Sequence, residues 1–167
     1  RIRSIVPFKD STASPLEKTC EPIDGVALPG IANVHSHAFQ RGFAGMSEFR
    51  TAANDSFWTW RKAMYDFVWK LSPDDVYVIA KQVYLEMLQA GYPWVGEFHY
   101  VHNDMNGVPY AKPTEMADAV VSAAQDSGIG ICLIPTLYQQ GGFGKQLQDS
   151  QRRFAIETDA FLKLIDD

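Results

Sequence analysis

An alternation of apolar strand segments with amphipathic helix segments is what most limits the folds open to this chain. Ile31-Ala32-Asn33-Val34-His35 reads as a short buried strand, and a long stretch with helices follows it. Within that stretch Ser72-Pro73-Asp74-Asp75 is a helix start: Ser can cap, Pro suits the first turn, and the acids suit the positive end of the helix dipole. Val76, Ile79, Ala80, Val83, Met87 and Ala90 then share one helical face, and Gly91 stops the helix. Trp94 to His99 is a second strand. Thr114 to Ser127 is a helix with Met116, Val120, Ala123 and Ala124 inward, ended by Gly128. Ile129 to Ile134 is a third strand, apolar nearly throughout, as expected when both faces are covered. Gln151 to Ile165 reads as one helix, with Phe154, Thr158, Phe161, Leu162 and Ile165 on a common face. Strand then helix, three times over, implies parallel strands joined by crossover helices.

The first 29 residues have another character. They contain Pro7, Pro15, Pro22, Gly25 and Pro29, with strand candidates at Ile2-Arg3-Ser4-Ile5-Val6 and Gly25-Val26-Ala27-Leu28 joined by a polar loop. A closed eightfold βα barrel takes about 250 residues, whereas 138 residues follow Pro29, enough for three βα units. The chain is therefore either a small open α/β domain or the first part of a barrel, and composition does not choose between them.

Composition does exclude partners. A net charge of −5 with no basic stripe disfavours nucleic acid and anionic membrane surfaces. No apolar run approaches bilayer length, and Arg1-Ile2-Arg3-Ser4 is not followed by the apolar core of a signal peptide. Cys20 and Cys132 lie far apart and outside any CxxC pattern, so they read as ordinary thiols in a reducing, cytoplasmic setting.

Chemistry enters with His35-Ser36-His37, at the C-terminal end of the first predicted strand. Histidines at i and i+2 of a strand project to one face, so both imidazoles can converge on one cation. Neutral imidazole suits zinc and other borderline metals, and α/β proteins place ligands at the carboxyl ends of strands. The plainer alternative is two histidines each hydrogen-bonded to backbone. Two ligands also fall short of a catalytic zinc site, which has three protein ligands plus water.

The surrounding residues are more specific. Leu28-Pro29-Gly30-Ile31-Ala32-Asn33-Val34-His35-Ser36-His37-Ala38-Phe39-Gln40-Arg41 resembles the opening strand of the amidohydrolase superfamily. Asp55-Ser56-Phe57-Trp58-Thr59-Trp60-Arg61 and Glu97-Phe98-His99-Tyr100 extend the likeness to one family within it, the N-formimidoyl-L-glutamate deiminases of histidine degradation. The resemblance implies one divalent metal ion, zinc above all, held by His35, His37, a later His and a later Asp. The metal lowers the pKa of water so that hydroxide is available near neutral pH, and the amidine is hydrolysed to N-formyl-L-glutamate and ammonia. The later ligands and the acid that protonates the leaving nitrogen fall beyond Asp167, so no catalytic residue is assigned within the chain and the chain alone is expected to be inactive.

Three positions match substrate-contacting positions of that family. Gln40 can present an amide to the formimidoyl or glutamate part; alternatively it merely opens a loop. Arg61 suits bidentate pairing with a carboxylate; alternatively it is a solvated helix arginine. Tyr100 can hydrogen-bond the substrate through its hydroxyl or simply cap the barrel with its ring.

Other conspicuous residues take plainer readings. Glu97 and His99 share strand parity, so both face either the barrel interior or the helix layer, and His99 is not counted as a ligand. Trp58, Trp60 and Trp69 read as packing. Gly141-Gly142-Phe143-Gly144 lacks phosphate-loop spacing and reads as a mobile loop after the third strand, a lid candidate if the fold is a barrel. The expected organisation is a partial small β-sandwich-type domain over 1–29 and the N-terminal part of a (β/α)8 TIM-like barrel over 30–167. The expected function is deimination of N-formimidoyl-L-glutamate, a small dicarboxylate substrate. Two rivals stay open: a related amidohydrolase such as a nucleobase deaminase, and a non-catalytic piece that folds and associates. A homodimer is compatible with the sequence.

Overall fold

The computed structural model describes residues 24–49 and 56–166. Strands β1 (Ala32–Ser36), β2 (Trp94–His99) and β3 (Gly130–Pro135) form one sheet in chain order, with both neighbouring pairs parallel. Between them run helices α1 (Phe57–Val68), α2 (Pro73–Gln89) and α3 (Glu115–Ser127), and α4 (Thr158–Asp166) follows β3. Two 3-10 segments complete the described elements, Ala38–Phe43 straight after β1 and Asp149–Phe154 before α4.

Capping fixes where the helices begin and end. At α2 the Ser72 hydroxyl accepts from the Asp75 amide at 3.2 Å, and the Asp75 carboxylate accepts from the Ser72 amide at 2.9 Å. Two otherwise unpaired donors are thereby satisfied, as the Ser-Pro-Asp-Asp run leads one to expect. Gly128 ends α3 in the left-handed conformation at φ 80°. Helix α2 packs on α3, with Ala80, Ala123 and Ala124 wholly buried where the backbones approach. Val76, Tyr84, Met116 and Val120 fill the layer between these helices and β2, each large apolar side chain contributing about 1.5–3 kcal/mol.

The strand reading holds for β2 to the residue, and β1 and β3 are displaced by one position. Gly25–Leu28 forms no strand: Val26 and Leu28 are 87% and 81% exposed, with no pairing partner among the described residues. The Ile2–Val6 strand candidate and Cys20 lie outside the described residues. β3 is half-exposed rather than covered on both faces, because no fourth strand stands beside it among the described residues.

The single helix expected over Gln151–Ile165 is instead broken. Asn103 Nδ2 donates to the carbonyls of Arg152 at 2.7 Å and Ala155 at 2.8 Å, taking acceptors that a continuing helix would use. Ala155 is extended, and α4 starts afresh at Thr158 with Leu164 as its buried residue, while Leu162 and Ile165 face solvent. No helix among the described residues is long and apolar enough to cross a membrane.

Strand parity resolves as anticipated. Val95, Glu97 and His99 point into the helix layer and are buried. His99 and its neighbour His102 are each 4% exposed, with ring centroids 5.7 Å apart. Burial depresses the His99 imidazole to about 3 and also lowers His102. Both are therefore neutral when folded, whereas in the unfolded chain they take up a proton below about 6.5. Stability is complete above that value and is lost as pH falls towards 3, at up to about 1.4 kcal/mol per pH unit per histidine. The urea midpoint of a full-length protein carrying this chain should fall between pH 7.5 and 5.5, and His99→Gln should flatten the slope. A midpoint independent of pH in that window would contradict neutral burial.

Candidate functional site

Beyond Asn33 the pairing of β1 with β2 slips. Asn33 stands opposite Val95 and Ser36 opposite Glu97, so β1 carries one residue more than its partner. This bulge exposes Val34 and His35 in succession and redirects the strand end. The Asn33 side chain steadies it by accepting from the His35 amide at 3.2 Å. Across the sheet is Gly96, where a Cβ would lie 3.0 Å from the Val34 carbonyl oxygen. Backbone cannot yield cheaply at that distance, so glycine is what allows the bulge to lie against β2.

The redirected end brings His35 Nε2 within 3.2 Å of His37 Nε2, with the rings edge to face. His37 Nδ1 lies 2.9 Å from the Phe98 carbonyl, which can only accept. Nδ1 therefore carries the proton, and the Nε2 lone pair is free for a cation. Burial lowers the pKa of His37, with the Phe98 carbonyl opposing, so the neutral ligand form is favoured. Two nitrogens on a tetrahedral zinc at about 2.0–2.1 Å stand about 3.3–3.4 Å apart. The observed separation matches one edge of such a site. Among the described residues no group of three or more His, Cys, Asp or Glu side chains is assembled, so the pair offers two ligands and no more. His99 belongs to the buried pair in the helix layer.

The turn that follows is pinned from below. Glu97, 2% exposed, accepts from the Ala38 amide at 2.6 Å, directly after His37. Burial pushes the Glu97 carboxyl above its usual range, with the Ala38 amide pulling it back. The phenol of Tyr84, wholly buried, lies near enough to feel the carboxyl, yet neither the hydroxyl nor Glu97 Oε2 makes a well-formed hydrogen bond. Sequence reasoning gave Glu97 a face but no role; an acidic residue at a buried strand position was the available signal.

Gln40, Arg61 and Tyr100, read from sequence as substrate contacts, come together with His37 around a cavity of 430 Å³. Gln40 Nε2 donates to the Tyr100 hydroxyl at 3.0 Å, and the Tyr100 ring stands edge-on to His37 at 5.0 Å. Burial drives the Tyr100 phenol up to about 12, so near neutral pH it is a hydrogen-bond donor and not an anion. Arg61 projects from α1, where its Nε donates to the Tyr65 hydroxyl at 2.5 Å and Nη2 to the Tyr138 hydroxyl at 3.2 Å. Trp58 and Tyr65 flank the guanidinium at 5.7 and 5.2 Å. No carboxylate among the described residues pairs with Arg61, unlike Arg41, which is bound to Glu86.

Tyr65 and Tyr138 were not anticipated. Tyr65, one helical turn after Arg61, could have been found from spacing; Tyr138, from the loop after β3, carries no such signal. Trp60 and Trp69 pack as expected, Trp60 stacking on Phe57 and Trp69 donating to the Ser150 carbonyl at 3.2 Å. The Gly141–Gly144 stretch makes a tight turn that borders a second cavity of 640 Å³ on the other side of Arg61.

Comparison with known proteins agrees with this geometry. Residues 26–162 match the Amidohydrolase family. A formimidoylglutamate deiminase from Pseudomonas aeruginosa is 51% identical over 146 residues, covering 87% of this chain and 32% of that protein. The crystal structure of an amidohydrolase from Brucella melitensis superposes with a TM-score of 0.79 at 45% identity, over 83% of this chain and 31% of that one. An atrazine chlorohydrolase from Arthrobacter aurescens, solved as a zinc complex, gives a TM-score of 0.62 at 24% identity over 84% of this chain and 31% of its own, a likeness of fold alone. The chain thus spans about a third of the length of these relatives. With a bulged HxH strand end, a three-stranded parallel sheet in barrel order and a family match over most of its length, the chain belongs to the amidohydrolase family.

Proposed function

We propose that a full-length protein carrying this chain hydrolyses the amidine of N-formimidoyl-L-glutamate, giving N-formyl-L-glutamate and ammonia. The observation that carries the reading is the approach of His35 and His37 Nε2 to 3.2 Å, with His37 lining the cavity into which Arg61 opens, an arginine with no carboxylate partner among the described residues. A histidine pair beside a cation with no carboxylate partner among the described residues suits a substrate with a hydrolysable carbon–nitrogen bond at one end and a carboxylate at the other. The deiminase name of the relative that is 51% identical supports the same substrate.

In this reading His35 and His37 supply two neutral nitrogen ligands to one divalent ion, with zinc favoured by imidazole donors and tetrahedral spacing. The ion supplies Lewis acidity and makes hydroxide available near neutral pH. Arg61 holds a substrate carboxylate through paired N–H donors. Gln40 spends one amide hydrogen on Tyr100, which leaves its carbonyl to accept from the amidine and the Tyr100 hydroxyl hydrogen to donate to substrate. Glu97 keeps the turn after His37 in register. The remaining ligands and the acid for the leaving nitrogen belong to chain beyond these residues. Part of a small β domain over 1–29, a barrel from residue 30 and a cytoplasmic location, in keeping with the free thiol of Cys132, form part of the same proposal.

Substrate preference is the test. The full-length protein, purified without chelator, should release ammonia and N-formyl-L-glutamate from N-formimidoyl-L-glutamate, and should act at least 100-fold more slowly on guanine. Preference for the neutral base would overturn the reading, because such a substrate leaves Arg61 buried against it without a counter-charge.

A further inference from the structure

Gln151 is 2% exposed and is not a residue that the deiminase reading uses. Its amide orientation is fixed by a partner that can only donate: the Gln148 amide lies 2.9 Å from Oε1. The NH2 group must therefore face the other way, and it meets the Tyr65 hydroxyl at 3.1 Å and the Tyr138 hydroxyl at 3.0 Å. An amide hydrogen can only donate, so both phenolic oxygens accept from Gln151. Each also accepts from Arg61, Tyr65 from Nε and Tyr138 from Nη2. A phenol has two acceptor lone pairs and one donor hydrogen. With both lone pairs filled by N–H groups, each hydroxyl hydrogen must turn elsewhere, and both rings line the cavity shared by Arg61, Gln40 and Tyr100. Of the five guanidinium N–H donors, two are held by these oxygens, so the plane of Arg61 is fixed while its other three have no hydrogen-bond partner among the described residues.

We infer that Gln151 is a positioning residue that locks Arg61, Tyr65 and Tyr138 into a single carboxylate clamp, in which both tyrosine hydroxyls join Arg61 as donors to the substrate. The clamp is a specificity device: two hydroxyl donors and one fixed cation select a planar anion over a neutral group of the same shape. Tyr138 is held for this role by stacking near Tyr100 and by the tilted ring of Phe154, with centroids at 6.5 and 5.4 Å. The inference rests on the reading that a substrate carboxylate occupies this cavity.

Two variants of the full-length metal-loaded protein test it. Gln151→Glu keeps size and shape but offers only acceptors, so the hydroxyl hydrogens should turn inward and present lone pairs to the carboxylate. Tyr138→Phe keeps the ring and deletes one donor. The probes are the product N-formyl-L-glutamate and its two mono-amides, measured by calorimetry, together with steady-state kinetics on N-formimidoyl-L-glutamate. Both variants should bind the diacid at least tenfold more weakly and raise KM with kcat within about twofold, at unchanged zinc content. For the one mono-amide that removes the clamped carboxylate, the further loss caused by either substitution should shrink below threefold.

Wild-type affinity in both variants, or an equal loss on all three ligands, would overturn the clamp while leaving the deiminase reading intact. A wild-type protein that binds none of the three would end both.

Discussion

Replacing either His35 or His37 by alanine should strip the metal and lower activity by at least about a thousandfold, with the fold retained. Each imidazole supplies one edge nitrogen of a two-ligand corner, and the pair stands at 3.2 Å. Even an outer partner of a metal ligand is worth about 10–100-fold in affinity, so removing a ligand itself exceeds that. His35 is exposed and His37 only half-buried at the end of β1, neither in the core, which is why the loss should appear in metal content before it appears in stability. Elemental analysis of full-length protein purified without chelator provides the measurement: stoichiometric metal in the parent, little in either variant, and thermal midpoints within a few degrees. Arg61→Ala supplies the contrast, since it should keep the metal and lose substrate affinity. Full metal occupancy after His35→Ala would refute the ligand assignment.

Spacing alone brings the two histidines towards one face but does not explain how their nitrogens converge. Regular pleating predicts that i and i+2 share a face, but β1 ends at Ser36 and carries a bulge, and His37 lies just past the strand. Convergence comes from the bulge, the Asn33 side chain and Gly96 across the sheet, and no periodicity argument sees a one-residue slip between strands. Long amphipathic helices with capping signals, α2 and α3, were legible because local physics sets both ends. Gly25–Leu28 failed for the opposite reason: a β-prone segment becomes a strand only when something pairs with it. The last helix failed because Asn103, about 50 positions away in sequence, takes its carbonyls. Gln40, Arg61 and Tyr100 came from resemblance and were brought together by the fold, whereas Tyr138 and Gln151 entered only through hydrogen bonds that the sequence does not encode locally.

Arg153→Ala should be the most destabilising single substitution in the described residues that spares the metal pair. Arg153 is wholly buried, and no carboxylate among the described residues forms an ion pair with it. Burial lowers its pKa, with Tyr110 and Asp104 opposing from nearby. What holds it there is backbone. Its Nη1 donates to the Val68 carbonyl at the end of α1, and Nε donates to the Asn103 carbonyl at 3.2 Å. Its own carbonyl accepts from the His102 and Asn103 amides at 2.9 and 3.0 Å. The guanidinium thus stands at a helix C-terminus, where the dipole favours a cation, and ties α1 to the loops after β2 and β3. Alanine would leave the buried Asn103 carbonyl unpaired at about 1–3 kcal/mol, take from the Val68 carbonyl the second of its donors, the Leu71 amide remaining, and open a cavity as well, for a total of about 3–5 kcal/mol. Methionine keeps most of the volume and none of the donors, so Arg153→Met should cost about 2–4 kcal/mol. By contrast Lys62→Ala, which breaks the exposed Lys62–Asp66 pair, should cost under about 1 kcal/mol. Urea denaturation of the full-length protein separates these cases, and amide exchange should quicken at the end of α1 and through residues 101–104. Because α1 carries Arg61 and the 3-10 segment carries Gln151, substrate affinity should fall alongside stability in Arg153→Met. A midpoint within about 0.5 kcal/mol of the parent would mean that these carbonyls find water, and that the arginine is not what joins the two loops to the helix.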